Sequence, residues 1–307
     1  MIPLALVTGF LGSGKTTFLQ RVVERNRRRI VCLVNEFSSC DVDGVRLRAA
    51  GAAVQTLPGG SIFCRCLVAE FIDALEKLPQ RFGAAGPVEG VVVEASGMSD
   101  PRVVPALLRE TRLDKLYGLS SICAVVDPKS FLKLIHTLPA ILSQVQAADQ
   151  VLVNKTDLAS AEEIAAAENA IREVSPRARI LRTCRCAVDV ELFGPAPERG
   201  LSGELAACVD PDYARLALRF SGDTDVADLQ RRIMGLGDDV YRAKGFVPAG
   251  GRLLSFDYSA GGLEVGGNPP AKAQAELVFI VKGTAQARVA QALSATESTE
   301  KGAEFGV

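Results

Sequence analysis

The chain has 307 residues, 48% of them hydrophobic and 23% charged, with a formal net charge of −1. That length favours two domains, and that composition belongs to a packed globular protein. The near-zero charge gives no electrostatic footprint for general nucleic-acid binding, and no apolar stretch is long enough to span a bilayer, so neither partner is expected.

The apolar run Ile2–Val7 has no basic leader and leads straight into a glycine-rich loop, so it reads as a first strand and not as a signal peptide. The loop itself, Gly9-Phe10-Leu11-Gly12-Ser13-Gly14-Lys15-Thr16, fits G-x-x-x-x-G-K-[ST] and is followed by apolar residues at helical spacing (Phe18, Leu19, Val22, Val23). Strand, glycine loop and helix in that order form a phosphate cradle. Gly9, Gly12, Ser13, Gly14, Thr16 and Thr17 are its expected contacts, assisted by the positive end of the helix dipole. Lys15 reaches the β- and γ-phosphates, and the Thr16 hydroxyl is a ligand for Mg²⁺.

Alternating apolar runs and helical patterns then predict an α/β, doubly wound, mostly parallel P-loop sheet. Strands are expected at residues 4–8, 30–34, 53–57, 90–94, 121–126, 150–153 and 179–181, and helices at 15–27, 67–78, 102–109, 139–147 and 161–174. The basic run Arg25, Arg27, Arg28 and Arg29 suits a helix C-terminus, and the sole histidine, His136, in an apolar helical stretch at 131–138, reads as a surface or packing residue.

The segment after the second strand, Asn35-Glu36-Phe37-Ser38-Ser39-Cys40-Asp41-Val42-Asp43, lies where a mobile loop can sense a γ-phosphate. Glu36, Asp41 and Asp43 beside Cys40 are candidate Mg²⁺ or transition-metal ligands, and Glu36 joins Lys15 and Glu94 as a catalytic candidate. Val91-Val92-Val93-Glu94 ends a strand in a carboxylate placed for Mg²⁺, and Gly97 can offer its backbone near the γ-phosphate. Asn154-Lys155-Thr156-Asp157 follows a strand: Asp157 can accept two hydrogen bonds from guanine that adenine cannot supply. This selects GTP and GDP over ATP and argues against a kinase built on the same loop.

Eight cysteines in a nucleotide-binding chain, expected to be cytoplasmic, point to metal or redox chemistry sooner than to disulfides. Two C-x-C pairs stand out, Cys64/Cys66 and Cys184/Cys186. The first favours a soft or borderline ion such as Zn²⁺ or Cu⁺, whereas the second reads as packed thiols beside the base. A single four-sulfur site is not expected, because the two loops belong to different sides of the nucleotide.

Domain boundaries are read as 1–195 for the GTPase domain, 196–212 for a Pro/Gly linker, 213–294 for a smaller α+β domain and 295–307 for a polar, disordered tail. In the second domain, strands are expected at 213–220, 240–247, 252–258 and 276–281, with helices at 226–234 and 286–293.

Together these motifs resemble the CobW-like GTPases, relatives of the nickel-enzyme maturation GTPases. The matching residues are Thr8 to Thr17, Asn35-Glu36-Phe37, Glu94 to Pro101, Asn154 to Leu158 and, in the second domain, Arg242-Ala243-Lys244-Gly245-Phe246. The resemblance implies a GTP-hydrolysing metallochaperone or metallocofactor-assembly factor. In it GTP state gates metal or client handling, often with homodimerisation, and Glu36, Cys64 and Cys66 take part in binding Zn²⁺ or another transition metal (Co, Ni, Fe). One departure matters: where that family usually carries G-C-x-C-C, this chain has Gly60-Ser61-Ile62-Phe63-Cys64. The alternative is a GTP-switched chaperone or reactivation factor for a client metalloenzyme, with no metal site of its own.

Overall fold

A computed structural model describes residues 1–36, 42–207, 213–259, 262–267, 269, 273–294 and 305–306. The expected ligands Cys40 and Asp41, part of the linker and most of the expected tail lie outside the described residues. The chain divides into two compact units, one covering residues 1–37 and 41–208 and the other covering 38–40 and 209–307.

The first unit runs β1 (Ile2–Thr8), α1 (Lys15–Arg25), β2 (Ile30–Glu36), α2 (Val42–Ala49), β3 (Ala53–Pro58), α3 (Val68–Gly83), β4 (Gly90–Glu94), α4 (Val104–Glu110), β5 (Tyr117–Val126), α5 (Pro128–Leu134), α6 (Pro139–Ala147), β6 (Gln150–Val153), α7 (Ala161–Val174) and β7 (Arg179–Arg182). Seven strands form one sheet in the order β3-β2-β4-β1-β5-β6-β7, every neighbouring pair parallel. The central strands are apolar along most of their length because both faces are covered, and polar residues (Thr8, Asn35, Glu36, Glu94) enter only at their carboxyl ends. Leu4, Leu6, Val31, Leu33, Val91 and Val93 face one core with Phe71, Leu75 and Leu108. Ala5, Val7, Cys32, Val34 and Val92 face the other with Phe18 and Leu19 of α1. Chain order reverses on the two sides of β1, which opens a crevice at its carboxyl end. The glycine loop sits there.

Two elements of this unit depart from the sequence expectations: α5 starts before the helical stretch at 131–138 and ends within it, and α2 is not among the expected helices. Helix α5 begins at Asp127-Pro128, where the Asp127 carboxylate caps the Lys129 amide at 3.1 Å and Pro128 occupies the first turn. Helix α2 holds a glycine, Gly44, in its first turn, which hides it from a propensity reading. Helix α1 ends at Arg25, two residues before its expected end, with the Asn26 amide on Val22 O. Of the basic run, Arg25 pairs with Asp189 at 2.6 Å, Arg28 lies over the Phe193 ring and Arg29 donates to the Phe82 and Gly86 carbonyls. His136 is exposed in the turn after α5.

Phe71 of α3, 1% exposed, meets the Phe63 ring edge-on with centroids 5.5 Å apart. The contact clamps the loop that carries Cys64 onto the core. Phe71→Ala is expected to destabilise the first unit by about 3–5 kcal/mol, read from denaturant unfolding, because the cavity cannot close between two rigid layers.

The second unit comprises β8 (Tyr213–Arg219), α8 (Val226–Gly235), β9 (Val240–Ala249), β10 (Arg252–Ser259), β11 (Gly262–Gly266), β12 (Glu276–Lys282), α9 (Gln286–Ser294) and β13 (Phe305–Gly306). Its antiparallel sheet has the order β11-β10-β9-β12-β8-β13. Leu229 and Ile233 of α8 and Val289 and Leu293 of α9 pack on Leu216, Phe256 and Phe279. Strand β11 was not expected from the sequence; two glycines in five residues suppress its signal, and pairing with β10 forms it. Among the described residues of both units, no helix is long and apolar enough to cross a membrane.

Candidate functional site

The glycine loop closes over the carboxyl end of β1. Gly9, Gly12 and Gly14 take φ values of 134°, 75° and 111°. At Gly14 a side chain is excluded twice, by the left-handed backbone and by the Asn154 amide, which would lie 2.5 Å from a Cβ. Lys15, 6% exposed, folds its ammonium back onto the loop and donates to Gly9 O at 2.8 Å and Phe10 O at 3.2 Å. The cation is therefore already fixed at the loop mouth. Ser13 Oγ is buried with no hydrogen-bond partner among the described residues, an orphaned donor facing an anion cradle. Thr17 lies exposed in the first turn of α1.

Thr16 Oγ1 donates to Glu94 Oε1 at 3.0 Å across 78 residues of sequence. Glu94 is 4% exposed, placed by the register that pairs it with Val7 and Val34. A hydroxyl and a carboxylate brought together in this way make a hard oxygen donor set of the kind that Mg²⁺ accepts. Gly97 lies against the glycine loop: a Cβ there would come within 2.6 Å of the Leu11 amide nitrogen.

On the other side of the loop stands N-K-x-D. Asn154, 2% exposed, donates from Nδ2 to Ser13 O at 2.8 Å and accepts the Cys186 amide on Oδ1 at 3.0 Å. One side chain thus ties the phosphate loop to the loop after β7. Lys155 holds φ 57° and pairs with Asp127 at 3.4 Å. Asp127, absent from the sequence reading, is findable from the Asp-Pro that follows an apolar strand. The Asp157 carboxylate accepts from the Cys184 thiol, which holds that thiol above its ordinary range. Cys186 is fully buried, its thiol pushed up to about 12 by burial, and donates to Gly14 O at 3.5 Å. Cys184, half-buried, and Cys186, buried, therefore pack around the N-K-x-D loop.

Cys64 and Cys66 lie across the sheet. Their Sγ atoms are 3.2 Å apart, Cys64 buried and Cys66 exposed. Cys64 follows β3 and Cys184 follows β7, the two opposite edges of the seven-stranded sheet. Six strand spacings of roughly 4.8 Å separate those edges, so the pairs cannot share an ion. Among the described residues no group of three or more His, Cys, Asp and Glu side chains converges as a metal site. Glu36 is thus not gathered with Cys64 and Cys66 into such a group. Its carboxylate, 3% exposed, accepts the Asp43 amide at 3.2 Å and so caps α2. Asp43 is likewise buried.

The comparisons with known proteins agree with this architecture. The CobW/HypB/UreG nucleotide-binding domain matches residues 3–182, and the cobalamin synthesis protein cobW C-terminal domain matches residues 213–297. The zinc chaperone YjiA of Escherichia coli (strain K12) is 30% identical over 170 residues, 53% of this chain and 52% of the relative. The zinc-regulated GTPase metalloprotein activator 1 of Schizosaccharomyces pombe is 28% identical over 194 residues, 59% of this chain and 46% of the relative. The chain thus spans about half the length of the curated relatives it matches. A crystal structure of zinc(II)-bound YjiA GTPase from E. coli aligns over 96% of this chain and 98% of that one, at 20% identity and a TM-score of 0.47. With the nucleotide-binding profile covering more than half of its length, the chain belongs to the CobW/HypB/UreG family and carries a CobW C-terminal domain.

Proposed function

We propose that this protein binds and hydrolyses GTP in the cytoplasm and uses nucleotide state to gate the handling of a zinc ion, or of cobalt, nickel or iron, for a client metalloenzyme or cofactor-assembly protein. The observation that carries the reading is the convergence of Lys15, the Thr16–Glu94 pair and the Asn154 bridge on one glycine loop. Lys15 and the backbone amides from Gly9 to Thr17 hold the phosphates. Thr16 and Glu94 would hold Mg²⁺, which when bound would offset the negative charge of the β- and γ-phosphates. Gly97 keeps the backbone of its loop close to the γ-phosphate side, and Asn154, Lys155 and Asp157 position and select guanine. Glu36 starts the loop that senses the γ-phosphate, and hydrolysis then follows from positioning and charge stabilisation. A GTP-dependent homodimer is consistent with the family.

The cargo ion is assigned to Cys64 and Cys66, whose thiols already sit within one ligand-to-ligand distance of each other. Two thiolates suit Zn²⁺, and the remaining coordination positions are left to the client or to residues near Glu36. Elemental analysis of full-length protein is expected to show bound zinc whose content differs with and without GTP. Replacing both cysteines by alanine is expected to weaken zinc at least about tenfold, since even the loss of an outer-shell partner typically costs 10–100-fold. Equal zinc affinity in the double variant sinks the cargo assignment. One observation favours the second reading, a client chaperone without its own metal: Ser61 and Phe63 stand where the family usually carries cysteines. GTP-dependent capture of a client by zinc-free protein would decide for it.

A further inference from the structure

Between the phosphate loop and Cys64 lies a polar network that the function above does not use. Its centre is Asn35, near the end of β2 and 6% exposed. Asn35 Oδ1 accepts two amides, from Ile62 at 3.1 Å and from Ser96 at 3.2 Å, while Nδ2 donates to Gly60 O at 2.8 Å. One side chain thus joins the loop after β3, which carries Cys64, to the loop after β4, which follows Glu94.

Three hydroxyls run beside it. Ser96 Oγ lies 2.9 Å from Ser99 Oγ, and Ser99 Oγ lies 2.7 Å from Ser61 Oγ. All three serines are buried, at 4%, 1% and 3% exposure. At its ends the network is anchored to the two sites. Gly97, between Ser96 and Ser99, packs on the Leu11 amide, with its carbonyl held by Gln144 Nε2 at 2.9 Å. Ser61 O accepts the Cys64 amide at 3.0 Å, and Ser61 Oγ accepts the Phe63 amide at 3.2 Å. Leu11, Gly97, Ser99, Ser61 and Cys64 thus form an unbroken path.

Such a path transmits displacement for two reasons. Each buried donor that loses its partner carries a desolvation penalty, so the loops are driven to move together and not to part. Each serine also has a single O–H. Ser99 can donate to Ser96 or to Ser61 but not to both, so the chain has two alternative donor directions. A nucleotide that biases the Gly97 loop biases that choice, which is the two-state element a coupling requires.

We propose that Asn35, Ser96, Ser99 and Ser61 are positioning residues that couple the nucleotide bound at the glycine loop to the placement of the Cys64 thiol. The proposal rests on the GTP-gated reading above and names its transmission. Ser61 stands where relatives of this family usually carry a cysteine, so the position would here serve coupling and not ligation.

The test uses full-length protein, wild type, Ser99→Ala and Ser61→Ala, with zinc affinity measured against a competing chelator in GDP and in a non-hydrolysable GTP analogue. Wild type is expected to differ between the two nucleotides by at least about fivefold, the lower end of ordinary allosteric coupling. Both variants are expected to keep GTP affinity and GDP-state zinc affinity within about twofold of wild type, while the ratio between nucleotides falls towards one. A lowered melting temperature with an unchanged ratio would make the network a static scaffold and overturn the proposal. A ratio of one in wild type itself overturns the gating reading, a separate failure seen before any variant is made. The alkylation rate of the Cys66 thiol in the two nucleotide states gives the same comparison without metal. Two variants at different points of the path keep the test decisive if one of them fails to fold.

Discussion

Lys15→Ala is expected to reduce GTP turnover by at least about 100-fold while leaving the fold intact. Its ammonium is held by two loop carbonyls at 2.8 and 3.2 Å before any ligand arrives, in a site only 6% exposed. A cation fixed in advance needs no reorganisation when charge develops on the phosphates, and removing one preorganised donor of this kind typically costs 10²–10³ in rate. On the stability side, alanine forfeits two hydrogen bonds from a charged donor, about 1.5–3 kcal/mol each, a loss partly offset because a buried ammonium no longer has to be desolvated. Lys15→Arg is expected to fail almost as badly, since a planar guanidinium cannot take the place of a compact ammonium seated on two carbonyls. Phosphate release and binding of a fluorescent GTP analogue measure the effect, with circular dichroism as the check on folding. Turnover within tenfold of wild type would remove Lys15 from the machinery.

Much of this site is written in contiguous sequence. The glycine loop, Val91 to Glu94 and Asn154 to Asp157 each combine an apolar strand with the loop at its carboxyl end, and a parallel sheet brings such ends together. The strands were legible because a sheet covered on both faces needs uninterrupted apolar runs, and β1, β2 and β4 have them. The elements that stayed hidden lack a period. Helix α2 is short, with Gly44 inside it, and β11 is held by its neighbour.

The Asn35–Ser61–Ser99 network was illegible for a different reason. Its contacts join residues 27, 38 and 61 positions apart, and an isolated serine or asparagine carries no pattern that distinguishes a buried hydrogen bond from a solvated loop. Glu36 shows the converse: an acid read from its position as a metal ligand caps α2 in the described structure. An acid is ambiguous in sequence because caps, ion pairs and ligands all call for the same carboxylate.

Asp157→Asn is expected to lower GTP affinity roughly 10³-fold or more and, in the same protein, to raise the affinity for xanthosine triphosphate above that for GTP. Guanine presents two donors along one edge, N1–H and the exocyclic amine, and a carboxylate presents two acceptors that match them. An amide at this position keeps one acceptor and replaces the other with an N–H that faces the guanine amine. Sites built around such hydrogen bonds reject a mismatched partner by 10⁴–10⁵, because the covered polar groups are left unpaired. Xanthine has a carbonyl in place of the amine, so it can accept from the new N–H while N1–H still donates to the remaining oxygen. The surroundings favour a clean exchange. Asn154 and Lys155 are held by Ser13 O and by Asp127, not by Asp157. The Cys184 thiol, which donates to the Asp157 carboxylate, can donate to an amide oxygen as well. Competition of GTP and xanthosine triphosphate against a fluorescent guanine nucleotide reads both halves of the prediction. A joint loss of both nucleotides would point to a collapsed loop and remove Asp157 as the reader of the base, whereas the exchange of preference can arise only if its carboxylate touches that edge of the ring.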